Sequence, residues 1–408
     1  MRQYLRVLKR TDFRRLWTGS TVSTLGDGMT FVALSWLVLA GPGGTARLGL
    51  LGICYTAPVL VGGLAVGYLL DRFDKRAVLI ADSLLRAVAV ASIPLTAAFD
   101  AMPAWLPFAV AATYGLLKMV PLAGFPAAIP QLVDEPDLDA ANALESLSFS
   151  VASMVGPAAA GLLISQLGAA NVLLVDSASF LVLALAAAAV RQPLRPDAAA
   201  RSDTDAGPPK SVAGLARDRV IVATTLAFMA FNIAEGMLLV TAPWLAGTHL
   251  PGGAAVLGAL LSATAAGEIV GAAFAGQRRP RRRVRAIGVV QALAAVAFLA
   301  LLATPHQLLV GAGFFAIGLL SAPMTVWAQS LRMRRIAPEL HGRAFAALRT
   351  LMQATPPLGS ALVTPFLLRD QLAAAAVTMT VIAGLPALYL LVAVSDEAPA
   401  FVAARKET

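Results

Sequence analysis

Three carboxylates, Asp27, Glu235 and Glu268, stand inside stretches that are otherwise almost free of charge. An acid in such a setting can take up and release a proton as its surroundings alternate between wet and dry, and ionisable groups at membrane depth mark pathways by default. The competing reading is a fixed ion pair, with Lys118 satisfying Asp27 or Glu235. Glu268 follows Gly267 and precedes Gly271, so it is expected at a tight helix contact, facing the interior. A second cluster lies at residues 67–76. Gly67 allows close backbone approach, Asp71 can cap a helix or pair with a base, and Arg72, Lys75 and Arg76 can anchor the loop at one membrane face. Asp82 and Arg86, one helical turn apart, are expected to pair with each other or with that loop. Asp176 reads as structural, and Arg349 is shallow enough to snorkel.

Other chemistries are poorly supplied. His249, His306 and His341 are scattered and lack ligand spacing, Cys54 is the lone cysteine, and no phosphate-cradling glycine loop with its lysine occurs. No catalytic residue, metal site or cofactor is therefore expected, and neither is ATP-driven work.

The elements that must position these groups follow from composition. The 408-residue chain is 58% hydrophobic and 13% charged, against roughly 25% charged in soluble proteins. Its mean hydropathy is +0.75. So apolar a chain is expected to be an all-α polytopic membrane protein in a lipid bilayer. Its start lacks the pattern of a cleavable signal. Runs of spanning length fall near 15–40, 48–70, 77–98, 103–129, 141–166, 169–191, 219–247, 253–275, 285–303, 308–331, 344–368 and 371–394, which predicts twelve transmembrane helices. On this map 27 of the 32 Lys and Arg residues fall on one side, so both termini are expected in the cytoplasm. The net charge of +9 is thereby spent on topology, and nucleic acid is excluded as a partner. Asp27 would lie roughly 16 Å deep at 1.5 Å per residue. Residues 196–218 are polar and proline-rich and read as a cytoplasmic linker between six-helix bundles at 1–195 and 219–408. The acidic loop at 134–139 either pairs with neighbouring basic loops or is merely solvated.

The two halves repeat. Asp27-Gly28-Met29 is followed by Trp36 and by Pro42 to Gly44, as Glu235-Gly236-Met237 is followed by Trp244 and by Pro251 to Gly253. Gly44, Gly49, Gly62 and Gly67 then match Gly253, Gly258, Gly271 and Gly276 at one offset. The 67–76 loop has a counterpart at 276–285 that keeps the glycine and the bases but has Pro280 in place of Asp71. Parallel repeats of this kind belong to transporter architecture, with substrate bound near the midplane.

On these features the chain resembles the major facilitator superfamily over essentially its full length. Gly67, Leu69, Asp71, Arg72, Lys75 and Arg76 look like the family's signature loop, with Asp74 where many members have Gly. Phe13 to Trp17, Ser23 to Asp27, Pro126-Ala127, Ala141 to Leu144, Asp176 with Phe180, and Gly342 to Phe345 resemble the branch of macrolide and siderophore exporters. Gly156, Pro157 and Gly161 look like the motif linked to antiporters, departing from it at Ala152 and Ala160, where small residues still permit close packing. The resemblance implies a major facilitator fold whose first, fourth, seventh and tenth helices line the cavity. Asp27, Lys118, Asn232, Glu235, Trp327 and Gln329 would then face the substrate. It also implies that Asp71 meets the start of the eleventh helix near Arg343 and latches the cytoplasmic gate.

The reading that results is a secondary transporter and no enzyme: a proton-coupled efflux antiporter for lipophilic or amphipathic small molecules, working by alternating access. Asp27, Glu235 and Glu268 would carry the proton coupling, and the protein would act as a monomer in a bacterial inner (plasma) membrane. The alternatives are an uptake symporter for a nutrient or siderophore, and a membrane assembly or sensory partner that does not transport. The substrate is not legible, because cavity shape draws on many helices.

Overall fold

The computed structural model describes residues 2–194, 217–278, 280–336, 341–392 and 394, without the side chains of residues 2, 3, 71, 341–343 and 345–347. The described residues form helices and no strand. A short helix α1 (Arg2–Lys9) precedes α2 (Thr11–Leu39), α3 (Gly44–Leu70), α4 (Lys75–Ala98), α5 (Leu106–Leu132), α6 (Leu138–Leu167) and α7 (Ala169–Ala188). Then come α8 (Arg219–Thr248), α9 (Gly253–Gln277), α10 (Arg283–Ala303), α11 (Gln307–Arg335), α12 (His341–Gln353), α13 (Pro356–Leu368) and α14 (Leu372–Val392). The chain divides into two compact units, residues 1–207 with 252–262, and residues 208–251 with 263–408.

Eleven segments, α2 to α11 and α14, are long and apolar enough to cross a bilayer. Their outer faces carry Leu64, Val88, Leu185, Leu308 and Val392, each at least two-thirds exposed. A soluble surface would not tolerate so many, whereas lipid requires them. The run expected at 344–368 differs: it is broken at Ala354 and Thr355 into α12 and α13, of 13 residues each. The physical cause is Pro356 and Pro357, which lack the N–H groups that would bond the carbonyls of Met352 and Gln353. At 1.5 Å per residue neither piece covers a hydrocarbon core of about 30 Å. Smaller breaks at Ala57 in α3 and at Lys118 in α5 have the same origin, in Pro58 and Pro121.

Helices cross where glycine lets backbones meet. In the first unit Gly62 of α3 lies against the Leu116 carbonyl of α5; in the second its repeat partner Gly271 of α9 lies against the Leu319 carbonyl of α11. The end of the first unit that carries the basic loops is tied by polar contacts. Arg6 pairs with Asp137 at 2.8 Å and Arg10 pairs with Asp134, so the acidic loop does meet bases, those of the N-terminal segment. In the second unit Asp218 caps α8 by accepting from the N–H groups of Val220 and Ile221, and receives Arg335 at 2.9 Å. The rest of the expected linker, residues 196–216, lies outside the described residues.

Candidate functional site

In the first unit α4 carries Asp82 and Arg86 one turn apart, and they pair as their spacing predicts. Arg86 donates to Asp82 Oδ2 from Nη2 at 2.8 Å and from Nε at 3.2 Å. It also does what its spacing could not predict: Nη1 reaches Asp27 Oδ1 of α2 at 3.0 Å. Arg86 and Asp82 are dry, with side chains 1% and 2% exposed, whereas Asp27 is 24% exposed. The Arg86 guanidinium lies 4.3 Å from the ring centroid of Phe180 and 5.6 Å from that of Tyr114, where a desolvated cation gains from the ring quadrupoles. The fixed ion pair weighed for Asp27 therefore exists, but with Arg86 rather than Lys118. Lys118, beside the break in α5, holds its ammonium 5.3 Å from the centre of the Tyr55 ring, within electrostatic reach of Asp27.

Tyr55 of α3 and Tyr114 of α5 complete the cluster, and sequence reasoning missed both. Their rings stack at 5.2 Å, Phe31 packs on Tyr55 at 5.0 Å, and the Tyr114 hydroxyl donates to the Asp27 backbone carbonyl at 3.4 Å. The signal was their place in the chain: each sits two to four residues before a helix break inside an apolar run. The result is a wall of aromatic faces and hydroxyls with one partly wet carboxylate and one ammonium. Asp27 can accept a proton, or a donor group of a substrate, at the side that Arg86 does not occupy.

Asp176 is fully buried, accepting from the hydroxyls of Thr30 and of Ser179, the latter at 3.1 Å. It joins α7 to α2, the structural role its sequence setting suggests.

In the second unit the expected residues part company. Glu235 of α8 is half-buried, and the charge of Glu268 on α9 reaches it. Gly267 and Gly271 do make the tight contact expected of them, against the carbonyls of Phe315 and Leu319 on α11. Glu268 does not share it: its side chain is exposed, because on a helix residue 268 points about 100° away from the face of 267 and 271. Asn232, expected at the substrate, donates to the Met352 carbonyl at 3.0 Å, a group that Pro356 cannot bond and that also accepts from the Thr355 hydroxyl at 2.8 Å. Trp327 is 7% exposed and donates to the Ala275 carbonyl at 3.3 Å, joining α11 to α9. Gln329 is exposed. Helix packing thus engages two of the expected cavity residues, Asn232 and Trp327, and leaves Glu235 and Gln329, with Glu268 beside Glu235.

The repeated acid-glycine pair has a repeated geometry. A Cβ on Gly28 would sit 3.0 Å from Gly156 Cα and from Pro157 Cδ, and one on Gly156 would sit 2.6 Å from the Leu25 carbonyl. A Cβ on Gly236 would strike the Pro356 carbonyl and sit 2.7 Å from Pro356 Cα. Each acid therefore precedes a glycine at which a proline-bearing helix crosses. Gly156 and Pro157 form the crossing beside Asp27, while Gly161 faces the Ala254 carbonyl, 2.5 Å from where its Cβ would be. Ala152 and Ala160 are fully buried, so the departures from glycine still allow contact.

The 67–76 loop is largely spent on structure. Asp74 caps α4 by accepting from the Arg76 N–H at 2.8 Å. Arg76 donates to the carbonyls of Val190 at 2.8 Å and Ala188 at 2.6 Å, closing the end of α7. The Lys75 N–H bonds the Leu194 carbonyl at 3.0 Å, and Arg72 bonds and covers Tyr68. Gly67 was expected to permit close approach, yet a Cβ there would meet nothing within 4 Å. The side chains of Asp71 and Arg343 lie outside the described ones.

A family model described as Major Facilitator Superfamily matches residues 16–360. Multidrug efflux pump Tap of Mycobacterium tuberculosis is 26% identical over 84% of this chain and 84% of its own. Tap of Mycolicibacterium fortuitum is 31% identical over 41% of this chain and 42% of its own. Macrolide efflux protein A of Streptococcus pyogenes is 23% identical over 86% and 88%. Among solved structures, peptide transporter POT in complex with sulfate superposes with a TM-score of 0.74 at 14% identity, covering 93% of both chains. A nucleoside transporter, NupG, does so at 0.70 and 11% identity, over 95% of this chain and 99% of that one.

Proposed function

Because this chain belongs to the major facilitator superfamily, we propose that it is a proton-coupled exporter that moves lipophilic or amphipathic small molecules outward in exchange for inward-moving protons. It is a transporter and not an enzyme. The observation that carries the reading is Asp27: a mid-span carboxylate with one oxygen on a buried arginine, still 24% exposed, beside Lys118, Tyr55 and Tyr114. The efflux names of the relatives agree with the outward direction.

In this mechanism a proton that reaches Asp27 removes the charge facing Arg86, whose guanidinium then leans on Asp82 alone. The contact between α2 and α4 weakens from an ion pair to a bond between a cation and a neutral acceptor. Proton and substrate occupy the site in turn: loss of the proton to the cytoplasm restores the pair, substrate then engages the aromatic wall and the charged Asp27 from that side, and it leaves outward before the next proton binds. Glu235 and Glu268 form the second proton locus, since an exposed carboxylate within a span is tolerable only along a water-filled path. Asp71 latches the cytoplasmic gate against Arg343 and the start of the eleventh span. That span consists of α12 and α13 together, which brings the count to twelve, in bundles of residues 1–195 and 219–408. Both termini are cytoplasmic by the placement of the bases, and the protein works as a monomer in the inner membrane.

Reconstituted into proteoliposomes, the protein should move a lipophilic dye or macrolide only when a proton gradient is imposed. Flux unchanged by Asp27→Asn combined with Glu235→Gln would remove these acids from the coupling.

A further inference from the structure

Beyond transport, we infer that the basic-loop end of the second unit holds a binding site for the phosphate-bearing headgroup of an anionic lipid. A cavity of about 420 Å³ opens there, lined by Arg278, Arg283, Arg334, Ser330, Trp327 and Met333 among others, all of one unit. Its origin is mechanical. Helices α9 and α11 touch through backbone at Gly267 and Gly271, and the bond from the Trp327 indole to the Ala275 carbonyl lies at the cavity's wall. Beyond it the helices part, and the turn through Pro280 brings Arg283 back across the gap.

The chemistry of the lining is one-sided. Three guanidinium groups and a hydroxyl face the recess, and among the described residues no carboxylate lines it or pairs with Arg278 or Arg334. Guanidinium matches the geometry of phosphate oxygens, and basic pockets between helices at the cytoplasmic face suit lipid headgroups. The volume falls in the range of small-molecule sites. A lipid is favoured over a soluble phosphate by what borders the recess. Val270, Phe274 and Met333 are each about half exposed, and the Arg278 guanidinium lies 5.7 Å from the centre of the Phe274 ring. An acyl chain beside a headgroup in the cavity would meet those three side chains.

Topology alone does not explain the convergence, because bases that only anchor a membrane face can splay into water. The repeat sharpens the contrast. In the 67–76 loop Arg76 is spent on helix-end carbonyls and Asp74 caps α4, whereas the counterpart at 276–285 has no acid.

The test uses the full-length protein, stripped of lipid in detergent and examined by native mass spectrometry after adding back phosphatidylglycerol or phosphatidylcholine. The wild type should retain phosphatidylglycerol roughly thirtyfold to 150-fold better, as two to three bases at an anionic headgroup imply. Arg278→Gln with Arg334→Gln should cut that preference to about fivefold or less, the share of one remaining base, while Arg281→Gln with Arg282→Gln, exposed bases of the same loop outside the cavity, should keep it. An unchanged preference in the first pair, or an equal loss in the second, would overturn the site. Displacement of the lipid by millimolar inorganic phosphate would overturn the lipid assignment in favour of a soluble anion. Should the first pair fail to fold, quenching of Trp327 by brominated phosphatidylglycerol, taken as wild type minus Trp327→Phe, decides: quenching supports the site and its absence refutes it.

Discussion

Arg86 joins two acids of very different exposure, so removing each member of the cluster should carry a different cost. Its bonds to Asp82 run at 2.8 and 3.2 Å and its bond to Asp27 at 3.0 Å. At an effective dielectric of about 20, each pair is worth roughly 5 kcal/mol before desolvation is charged against it. The net cost depends on what is left behind. Arg86→Gln strands Asp82, whose side chain is 2% exposed, as a dry and unpaired carboxylate; breaking such a pair costs about 3–5 kcal/mol. Asp27→Asn is milder, because the amide oxygen still accepts from Arg86 and the site is already partly wet; about 1 kcal/mol is expected. In a unit of about 200 residues, 1 kcal/mol moves the midpoint by roughly 2–4 °C. Arg86→Gln should therefore lower the midpoint by roughly 10 °C and Asp27→Asn by no more than roughly 4 °C, read by intrinsic fluorescence melts in one detergent. Proteoliposome flux should run the other way for Asp27, with gradient-driven transport lost in a protein that is still well folded. Equal melting losses for the two variants would refute the idea that Arg86 supports the cluster while Asp27 is dispensable to its stability.

Gly156→Ala would press a methyl against the Leu25 carbonyl, so α2 and α6 must separate at a cost of about 1–3 kcal/mol, whereas Gly67→Ala meets open space and should melt within about 0.5 kcal/mol of wild type. Asn232→Leu removes one of two side-chain donors to the Met352 carbonyl, leaving the Thr355 hydroxyl at 2.8 Å; it should cost about 0.5–1.5 kcal/mol in the second unit and leave the concentration for half-maximal flux unchanged. Asp71→Asn should impair flux and raise cysteine labelling from the cytoplasmic side, while expression and membrane insertion stay as in the wild type. Arg76→Gln should destabilise the first unit by about 1–3 kcal/mol, since it frees the carbonyls of Ala188 and Val190 together.

Much of the helical architecture was legible from hydropathy, because whether a segment enters lipid depends on its own composition. The acids of interest stood out for the same reason: a charge in an apolar run is conspicuous before any partner is known. The interruption of the 344–368 run was legible too, in Pro356 and Pro357, though the apolar count outweighed it. What each polar group touches was a different matter. Asp27 meets Arg86, 59 residues away in the chain, Asn232 is taken up by the Met352 carbonyl at a proline break 120 residues away, and Glu268 turns from the crossing made by its own glycine neighbours. Such pairings depend on how far each helix is rotated and where it crosses its neighbours. That is settled by backbone contact at Gly28, Gly62, Gly156, Gly236 and Gly271, a sum over many helices that no local run of residues contains.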